Sequence, residues 1–440
     1  MSLSQIAVSN FKSFKNLEVD LNPFNIVIGA NASGKTNFVD VFGFLRDITN
    51  YGLENALSMH GGSEYFPNAN IGRAEPSLFK VRSELPTQTR MIRVKEGLMR
   101  IRPYDIVYSF KIRFKRRGAG FEIVEDTLFQ KCRVTIRSED KTGEVNTGEV
   151  TFLLSKSGKQ ITIGMITSPG LPLNYKSVFR QYLRIPYEEE EVKTVGKEIK
   201  YTFVDFYAPA NTLILEIPVF SYPIIRNLEN NLSELSIYSF APELSKMAVP
   251  IRGKAELEED GRNLAIVLKD ILKVQDKKRK FTNLLKDLLP FVDDLAIERF
   301  ADKSLLMTLK ETYGKTYFPA SILSEGTINI TALILSLFFE EKLLKIIEEP
   351  ERSIHPQIIS KLVGMMRESS EKTQIIMTTH NPQFVKYANI EDILLISRDN
   401  DGFSVISRPS KEKKLKSFLK SDLGIDDLYV QNILEFIVKK

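Results

Sequence analysis

The stretch Gly29–Thr36, GANASGKT, decides the fold of this chain. It matches the pattern GxxxxGK[ST] at every fixed position, and it lies between the apolar run Phe24–Ile28 and the apolar segment Thr36–Ile48. A short continuous apolar run predicts a strand that is buried on both faces, and the second segment predicts a buried helix. A strand, a glycine-bearing loop and a helix in this order predict a phosphate-binding loop in an α/β fold.

The chemistry of this loop depends on a few residue types. Gly29 and Gly34 allow the backbone to wrap so that N–H groups point inward, and the start of the helix adds the positive end of its dipole. We expect Lys35 to reach the β- and γ-phosphates and the Thr36 hydroxyl to bind Mg²⁺. The loop therefore predicts ATP and Mg²⁺ as ligands. The alternative, a glycine-rich turn without a ligand, is disfavoured by the flanking strand and helix.

A second motif is Ile346–Glu351, IIEEPE, in which a buried strand delivers carboxylates at its carboxyl end. We expect Glu348 to hold the Mg²⁺ shell through water, and Glu349 to orient and deprotonate the attacking water. Successive strand residues point to opposite faces, so a bend at Pro350 is expected to aim Glu349. The alternative is an exposed acidic strand end.

Two further motifs follow the same logic. In Thr378–Pro382, TTHNP, His380 follows an apolar run and is predicted to sense the γ-phosphate by donating a hydrogen bond; the alternative is a structural histidine. In Leu323–Thr327, LSEGT, Ser324 is predicted to cap the apolar helix Ile328–Phe339, and helix starts bind anions. Read alone, this last motif predicts only a capped helix.

Together the four motifs resemble the ATP-binding cassette ATPase head, in the branch shared by SMC, RecF and OLD-type ATPases. GANASGKT resembles its Walker A motif, LSEGT its signature motif, IIEEPE its Walker B motif with the catalytic glutamate, and TTHNP its switch histidine. The segment Asn10–Phe14 is similar to the N-terminal phrase of that branch, whose basic residue, here Lys12, lies near the phosphates. Glu259–Ala265 is similar to OLD-type and related AAA-group predicted ATPases. Walker B normally offers aspartate and then glutamate, whereas here Glu348 takes the first place, and no glutamine-bearing loop is identified.

The resemblance implies a set of site residues and an assembly. Nucleotide contacts are implied for Lys12, Gly29, Asn31, Ser33, Gly34, Lys35, Thr36, Asn37, Ser324 and Gly326, catalysis for Lys35, Glu349 and His380, and metal binding for Thr36 and Glu348. In this family the signature motif of one subunit completes the nucleotide site of the other. We therefore expect a homodimer or higher oligomer with ATP between the heads.

The predicted fold class is α/β, a P-loop NTPase of the ABC-head type, with a mixed sheet and helices plus an antiparallel β lobe and a helical insertion. Residues 1–50 and 302–400 are predicted to form a split ATP-binding domain, residues 51–174 the β lobe, residues 175–301 a mostly helical insertion, and residues 401–440 a hairpin strand and helical tail. Strands of the lobe are predicted at Tyr108–Phe114, Phe121–Val124, Cys132–Ile136 and Val150–Leu154, and the tail hairpin at Ile393–Ser397 and Phe403–Ser407. A chain of 440 residues suggests two or three domains in series at about 150 residues each. The motifs instead predict one ATPase domain that is split around a large insertion.

Composition excludes several other classes. The single cysteine, Cys132, allows no internal disulfide and is expected to be a small core residue. The net charge of +5 is mild, the start shows no signal peptide, and the longest apolar stretch is shorter than the roughly 20 residues of a membrane span. We expect a cytoplasmic protein without membrane contact. The motif spacing disfavours a transporter motor, and no Toprim domain is expected after His380.

Three functional interpretations remain open. The first is a Mg²⁺-dependent ATPase that gates a DNA-linked or effector activity, such as phage defence or DNA repair. The second is an ATP-holding oligomeric scaffold with negligible turnover that holds a nuclease or toxin partner. The third is direct DNA binding, for which a solvated basic face is the alternative. Its candidate residues are Lys111, Arg113, Lys115, Arg116 and Arg117, or Lys411, Lys413, Lys414 and Lys416.

Overall fold

A computed structural model describes residues 2–85, 89–94, 97–115, 118, 120–137, 145–168, 190–195, 198–217, 228–230, 232–300, 303–412, 424–431 and 434. The chain forms two compact units. Unit 1 comprises residues 1–21, 36–234 and 398–405, and unit 2 comprises residues 22–35, 235–397 and 406–440. Both units are therefore built from segments that are distant in sequence. Within the described ranges, no helix is long and apolar enough to cross a membrane.

The strands are β1 (Ser2–Phe11), β2 (Phe14–Asp20), β3 (Phe24–Ile28), β4 (Ser77–Glu84), β5 (Arg90–Val94), β6 (Gly97–Phe114), β7 (Phe121–Arg137), β8 (Val145–Ser157), β9 (Gln160–Thr167), β10 (Glu190–Val195), β11 (Glu198–Tyr207), β12 (Leu235–Tyr238), β13 (Val249–Pro250), β14 (Val292–Phe300), β15 (Ser304–Glu311), β16 (Tyr317–Pro319), β17 (Leu344–Glu348), β18 (Gln374–Thr379), β19 (Ile393–Arg398) and β20 (Ser404–Ser407). The helices are α1 (Lys35–Tyr51), α2 (Leu53–Met59), α3 (Gly62–Tyr65), α4 (Pro242–Ser245), α5 (Leu264–Leu272), α6 (Gln275–Leu288), α7 (Glu325–Phe338), α8 (Pro356–Ser370), α9 (Pro382–Tyr387) and α10 (Ile425–Val430).

Unit 1 contains a ten-stranded sheet in the order β10-β11-β9-β8-β7-β6-β4-β1-β2, with β5 paired to β6. Its neighbouring strands run antiparallel, as predicted for the β lobe. The segments Phe121–Val124 and Cys132–Ile136 were expected as separate strands, but both belong to β7. The alternation of buried and exposed residues continues through Asp126 and Gln130, which are buried although polar. Because these two residues are polar, the sequence pattern predicts two short strands instead of one long strand.

The region expected to be mostly helical contains strands as well. β10 and β11 extend the sheet of unit 1, β12 joins the central sheet of unit 2, and β13 and β14 belong to a four-stranded sheet. Helices occur at α5 and α6, where apolar residues recur at helical spacing. The sequence of β11, EIKYTFVDFY, is rich in aromatic and β-branched residues, which favour strands. The predicted domain boundaries themselves stay predictions.

Unit 2 is built on a six-stranded sheet in the order β12-β17-β18-β3-β19-β20. Neighbouring strands from β12 to β19 run parallel. Phe24–Ile28 is buried at every residue, and β18 is buried throughout, as expected for strands covered on both faces. In the register, Glu348 lies opposite Thr378 and Thr379 lies opposite Ile28. The carboxyl ends of β17, β18 and β3 therefore meet at one edge of the sheet.

The tail hairpin is confirmed by β19 and β20, which are neighbours in the sheet. The turn between them is closed by the Asp399 N–H, which donates to the Phe403 carbonyl at 2.9 Å. Of the short helices expected at the end, α10 is described, and residues 413–423 lie outside the described part of the chain.

Candidate nucleotide site

The glycine-bearing loop joins the end of β3 to the start of α1, as predicted. Ala32 and Gly34 have positive φ angles of 59° and 117°, which the wrapped loop requires. A Cβ atom at Gly29 would lie 2.4 Å from the Ile396 carbonyl oxygen and 2.7 Å from Oγ of Ser33. Any side chain at position 29 would therefore displace the loop from the neighbouring strand. Asn31 and Thr36 are exposed on the loop and on the first turn of α1, while Ser33 is buried.

The side chain of Lys35 is held over the loop by hydrogen bonds to two carbonyl groups of the loop. Its Nζ donates to the Gly29 carbonyl at 2.8 Å and to the Ala30 carbonyl at 3.0 Å. Burial lowers the pKa of Lys35, and the negative charges of Glu349 and Glu351 oppose that shift. The ammonium group thus lies at a glycine-bearing loop, near two carboxylates and at a helix start. Phosphate oxygens can replace its carbonyl partners, so the residues present fit a bound nucleotide.

The two predicted carboxylates lie at the end of β17, where Glu348 is half-buried. The bend occurs at Glu349 itself, one residue before the expected position Pro350. Glu349 has a left-handed φ of 44°, and its N–H donates to the Thr378 carbonyl at 3.0 Å. A non-glycine residue in this conformation costs on the order of 1–3 kcal/mol and persists only where its surroundings hold it. The hydrogen bond from Glu349 to β18 therefore accompanies a bend at Glu349, one residue before Pro350.

The structure brings the predicted base and the predicted sensor together. Nδ1 of His380 lies 3.1 Å from Oε1 of Glu349, and a protonated Nδ1 donates to that carboxylate. Both side chains are partly exposed, at 51% and 37%. The pair is therefore accessible to solvent.

Glu351 is a buried residue that the sequence reasoning did not single out. Its Oε1 accepts from the Thr379 hydroxyl, whose oxygen in turn accepts from the Asn381 N–H at 2.9 Å. Within the described residues its Oε2 has no hydrogen-bond partner, although the side chain is only 8% exposed. Burial raises the pKa of Glu351, and the Thr379 hydrogen bond opposes that shift. In the sequence, Glu351 is visible only as the third acidic residue of IIEEPE. Its burial beside Thr379, which only the structure shows, distinguishes it from an exposed acidic residue.

The signature segment begins α7, and the predicted cap is confirmed. Oγ of Ser324 accepts from the Thr327 N–H at 3.1 Å. A Cβ atom at Gly326 would lie 2.4 Å from the Ser353 carbonyl oxygen, and the Ser353 hydroxyl donates to Glu325 at 2.8 Å. Gly326 therefore has a packing role within its own chain, between the start of α7 and the turn after β17.

Asn329 strengthens that same packing and was also missed. Its Nδ2 donates to the Arg352 carbonyl at 2.7 Å and to the Pro350 carbonyl at 3.2 Å. The side chain is buried in the first turns of α7. His355 caps α8, where its Nδ1 accepts from the Gln357 N–H at 3.4 Å.

Unit 1 contains three predicted nucleotide contacts, Lys12, Thr36 and Asn37. Lys12 has a left-handed φ of 45°, and its ammonium group pairs with Asp40 of α1. Asn68 donates to the Lys12 carbonyl at 2.7 Å, which fixes this conformation. Asn37 donates to the Ser13 hydroxyl at 2.8 Å. The β1–β2 turn and the start of α1 are therefore tied together by side chains.

The strand proposed for DNA contact is largely neutralised. Lys111 pairs with Glu125 at 2.6 Å and Arg113 pairs with Glu122 at 2.8 Å, across β6 and β7. This favours the solvated-face alternative for these two residues. Of the remaining candidates, Lys115 and Lys411 are exposed, while Arg116, Arg117, Lys413, Lys414 and Lys416 lie outside the described residues. Cys132 is buried, as expected, and His60 contacts Asp47 at 2.9 Å.

Comparisons with known families place the chain in a class. A family model described as "AAA ATPase domain" matches residues 1–178, and one described as "AAA domain, putative AbiEii toxin, Type IV TA system" matches residues 223–386. The first match includes the glycine-bearing loop, and the second includes β17 and the carboxylates at its end. Together with the motifs, these matches support an ABC-type ATPase of the SMC/OLD-like branch.

Curated relatives match over shorter stretches. The chain is 26% identical to an OLD nuclease of Thermus scotoductus over 193 residues, which is 39% of this chain and 36% of the relative. It is 27% identical to the Septu protein PtuA of Bacillus thuringiensis over 103 residues, which is 21% of this chain and 26% of the relative. The chain thus spans about a quarter to a third of the length of these relatives.

Among solved structures, the chain is similar to an SMC head bound to the C-terminal winged-helix domain of ScpA, with a TM-score of 0.44 and 14% identity, over 94% of this chain and 100% of that one. It is also similar to the SMC head domain from Thermotoga maritima, with a TM-score of 0.39 and 13% identity, over 93% and 99%. Both scores are below 0.5, so the ABC-head fold rests on the strand order and the loop of the chain itself.

Proposed function

We propose that this protein is a Mg²⁺-dependent ATPase whose heads dimerise on ATP and part after hydrolysis, and that this cycle gates a DNA-linked or effector activity. The observation that supports it most is the pairing of Glu349 with His380 at the carboxyl ends of two neighbouring parallel strands. The loop of Lys35 follows β3, the next strand in the same sheet. A base, a sensor and a phosphate-binding cation are thus built on one sheet edge.

Each residue has a distinct task in this proposal. Bound ATP·Mg²⁺ supplies the γ-phosphoryl group and the metal charge, and Thr36 with Glu348 would hold the metal. Lys35 neutralises the phosphates as it leaves its carbonyl partners. Oε1 of Glu349 is engaged by His380, so Oε2 is the atom that accepts the proton of the attacking water. His380 then reports the γ-phosphate to Glu349 through their shared hydrogen bond.

Glu351 is proposed as a positioning residue for this pair. Through Thr379 it fixes the end of β18, and the next residue along the chain is His380. Its buried carboxylate thereby limits the movement of His380 relative to Glu349. It does not itself contact the nucleotide in this scheme.

The partners are proposed from the relatives. The names OLD nuclease and Septu protein PtuA point to a defence setting, in which a nuclease or toxin partner would respond to the ATPase cycle. A homodimer or higher oligomer with ATP between the heads is the proposed assembly. Ser324 and Gly326, at a positive helix start, are the proposed contacts to the nucleotide of the other subunit.

Two substitutions test the ATPase. Lys35→Ala should abolish ATP binding in equilibrium dialysis, while Glu349→Gln should bind ATP and accumulate as a dimer in light scattering. Loss of a general base should lower kcat by about 100- to 10,000-fold. The exposed Glu341→Gln is the matched control and should change neither property. Normal hydrolysis by Glu349→Gln would refute the assignment of the base.

A scaffold with negligible turnover is the second candidate. It is favoured by Glu348 at the place where an aspartate is usual. A scaffold would bind ATP tightly and turn over no more than about one ATP per head in hours. Steady-state phosphate release, measured beside nucleotide affinity, separates the two functions, because only the enzyme releases phosphate continuously.

A further inference from the structure

One exposed face of the unit 1 sheet carries a cluster of cations that the ATPase scheme does not use. We call it the basic sheet face. It consists of Arg100 and Arg102 on β6 and Lys131, Arg133 and Arg137 on β7. All five side chains are exposed, while the alternate residues Ile101, Cys132 and Val134 are buried in the core. The period of two places the cations on the same side of neighbouring strands.

The register brings these cations close together. Arg102 lies directly opposite Arg133, Arg100 lies opposite Thr135, and Arg137 lies opposite Leu98. Residues two apart on a strand are separated by roughly 7 Å, and neighbouring strands by about 4.8 Å. The five charges therefore form a compact field rather than isolated points.

Glu149 of β8 lies directly opposite Arg133, whereas the cations at the other end of the sheet form salt bridges across β6 and β7. Lys111 and Arg113 each pair with a glutamate across the same two strands. In the part of the chain that the structure describes, none of the five cations of the basic sheet face forms a salt bridge. The nearest candidate for Lys131, Asp105, is bound at both carboxylate oxygens by Arg82.

Two polar neighbours, Tyr104 and Glu149, lie beside Arg133 and offset part of its charge. Arg133 lies over the ring of Tyr104, with its guanidinium carbon 5.2 Å from the ring centre, and the Tyr104 hydroxyl donates to Glu149 at 3.1 Å. Like charges directly opposite on two strands are destabilising, and the Arg102–Arg133 pair has this arrangement. A bound polyanion would remove that repulsion.

We propose that the basic sheet face binds duplex DNA through its phosphate backbone. A compact field of five exposed cations complements the regular negative charge of a duplex. Single-strand binding relies on exposed aromatic platforms; Phe129 is exposed on this side of β7, while one face of the Tyr104 ring is covered by Arg133, so a single strand is the competing ligand in the test. The surface lies within unit 1 and does not depend on the proposed ATPase, to which it adds a partner.

The test is fluorescence anisotropy of a labelled 30-base-pair duplex with the full chain, without nucleotide and with EDTA, over about 50 to 200 mM salt. Five phosphate contacts predict a slope of log K against log salt of about −4.5. The triple variant Arg100→Gln, Arg102→Gln and Arg133→Gln keeps two contacts, so its slope should become about −1.8. The omission of nucleotide separates this result from any failure of the ATPase proposal.

The matched control removes the same number of charges elsewhere, as Lys254→Gln, Lys372→Gln and Lys386→Gln at three exposed positions. Its slope should stay near that of the wild type. Circular dichroism of both triple variants confirms that each is folded. Equal losses in the two triple variants, absence of salt-dependent binding by the wild type, or tighter binding to a single strand of the same length would each overturn the proposal.

Discussion

Asp126 makes the stability of unit 1 depend on pH near neutrality, and Asp126→Asn should remove that dependence. The side chain is fully buried on β7. The Tyr108 hydroxyl donates to Oδ1 at 2.9 Å, and the Ile214 N–H donates to Oδ2 at 2.7 Å. Burial raises the pKa of Asp126 from 3.8 to about 7, although these hydrogen bonds oppose the shift. Asparagine fits the same position, because its oxygen can accept from Ile214 and its amide can donate to Tyr108.

The magnitude follows from linkage. The pKa of this acid is higher in the folded state, so the folded protein holds the proton more tightly than the unfolded chain. The contribution of Asp126 to the free energy of unfolding is therefore highest below pH 3.8, falls as the pH rises and levels off above about pH 7. The rise of the pKa from 3.8 to about 7 corresponds to a total loss of about 4 kcal/mol in the free energy of unfolding, of which about 3 kcal/mol falls between pH 5 and pH 8.

The assay is urea unfolding followed by far-UV circular dichroism at pH 5, 6, 7 and 8. Between pH 5 and pH 8, the free energy of unfolding of Asp126→Asn should fall by about 3 kcal/mol less than that of the wild type. Glu122→Gln, at an exposed acid on the same strand, is the control and should keep the wild-type dependence. Equal pH dependence in Asp126→Asn and the wild type would refute the reasoning, because it would mean that Asp126 titrates alike in the folded and unfolded states.

Three further predictions concern unit 2. Gly326→Ala places a Cβ atom 2.4 Å from the Ser353 carbonyl oxygen and should destabilise the protein by about 1–3 kcal/mol in calorimetry. The control Gly364→Ala, in open space on α8, should stabilise it by about 0.5–1 kcal/mol. Equal effects of the two substitutions would contradict the packing role of Gly326. Glu351→Leu should lower kcat about 10- to 100-fold with ATP affinity retained, and Glu351→Gln, which keeps an acceptor for Thr379, should recover most of it; parallel loss of ATP binding would argue against a positioning role. Lys345→Met should raise the free energy of unfolding at pH 7 by up to about 3 kcal/mol, because burial lowers the pKa of Lys345 to about 8 and its charged form is costly in the fold. This gain should shrink as the pH rises toward 10.5. A gain that is constant with pH would contradict this cause.

The local elements of the site were predictable because they depend on neighbouring residues. Phe24–Ile28 is a strand with the predicted bounds, and α1 begins at Lys35, within one residue of its predicted start. The cap formed by Ser324 was predictable for the same reason, since it depends on the N–H three residues ahead. The position of the bend at Glu349 was not, because it depends on a hydrogen bond to β18.

The antiparallel sheet gives a similar lesson about charge. Alternation along β6 and β7 could be read from the sequence, but the register could not. The register pairs Lys111 with Glu125 at one end and places Arg102 opposite Arg133 at the other. Two runs of similar basic residues therefore have different electrostatic surroundings, which only strand pairing could decide.

The sequence by itself determined the phosphate-binding loop, the identity and order of the four motifs, and the class of ATPase, because each motif is a short contiguous pattern with its own chemistry. The tertiary structure alone decided which motifs act on each other. Glu349 meets His380 across 31 positions of sequence, and Glu351 meets Thr379 across 28. Such contacts arise because β17 and β18 are parallel neighbours whose carboxyl ends coincide, and strand order is a property of the packed sheet rather than of any one segment.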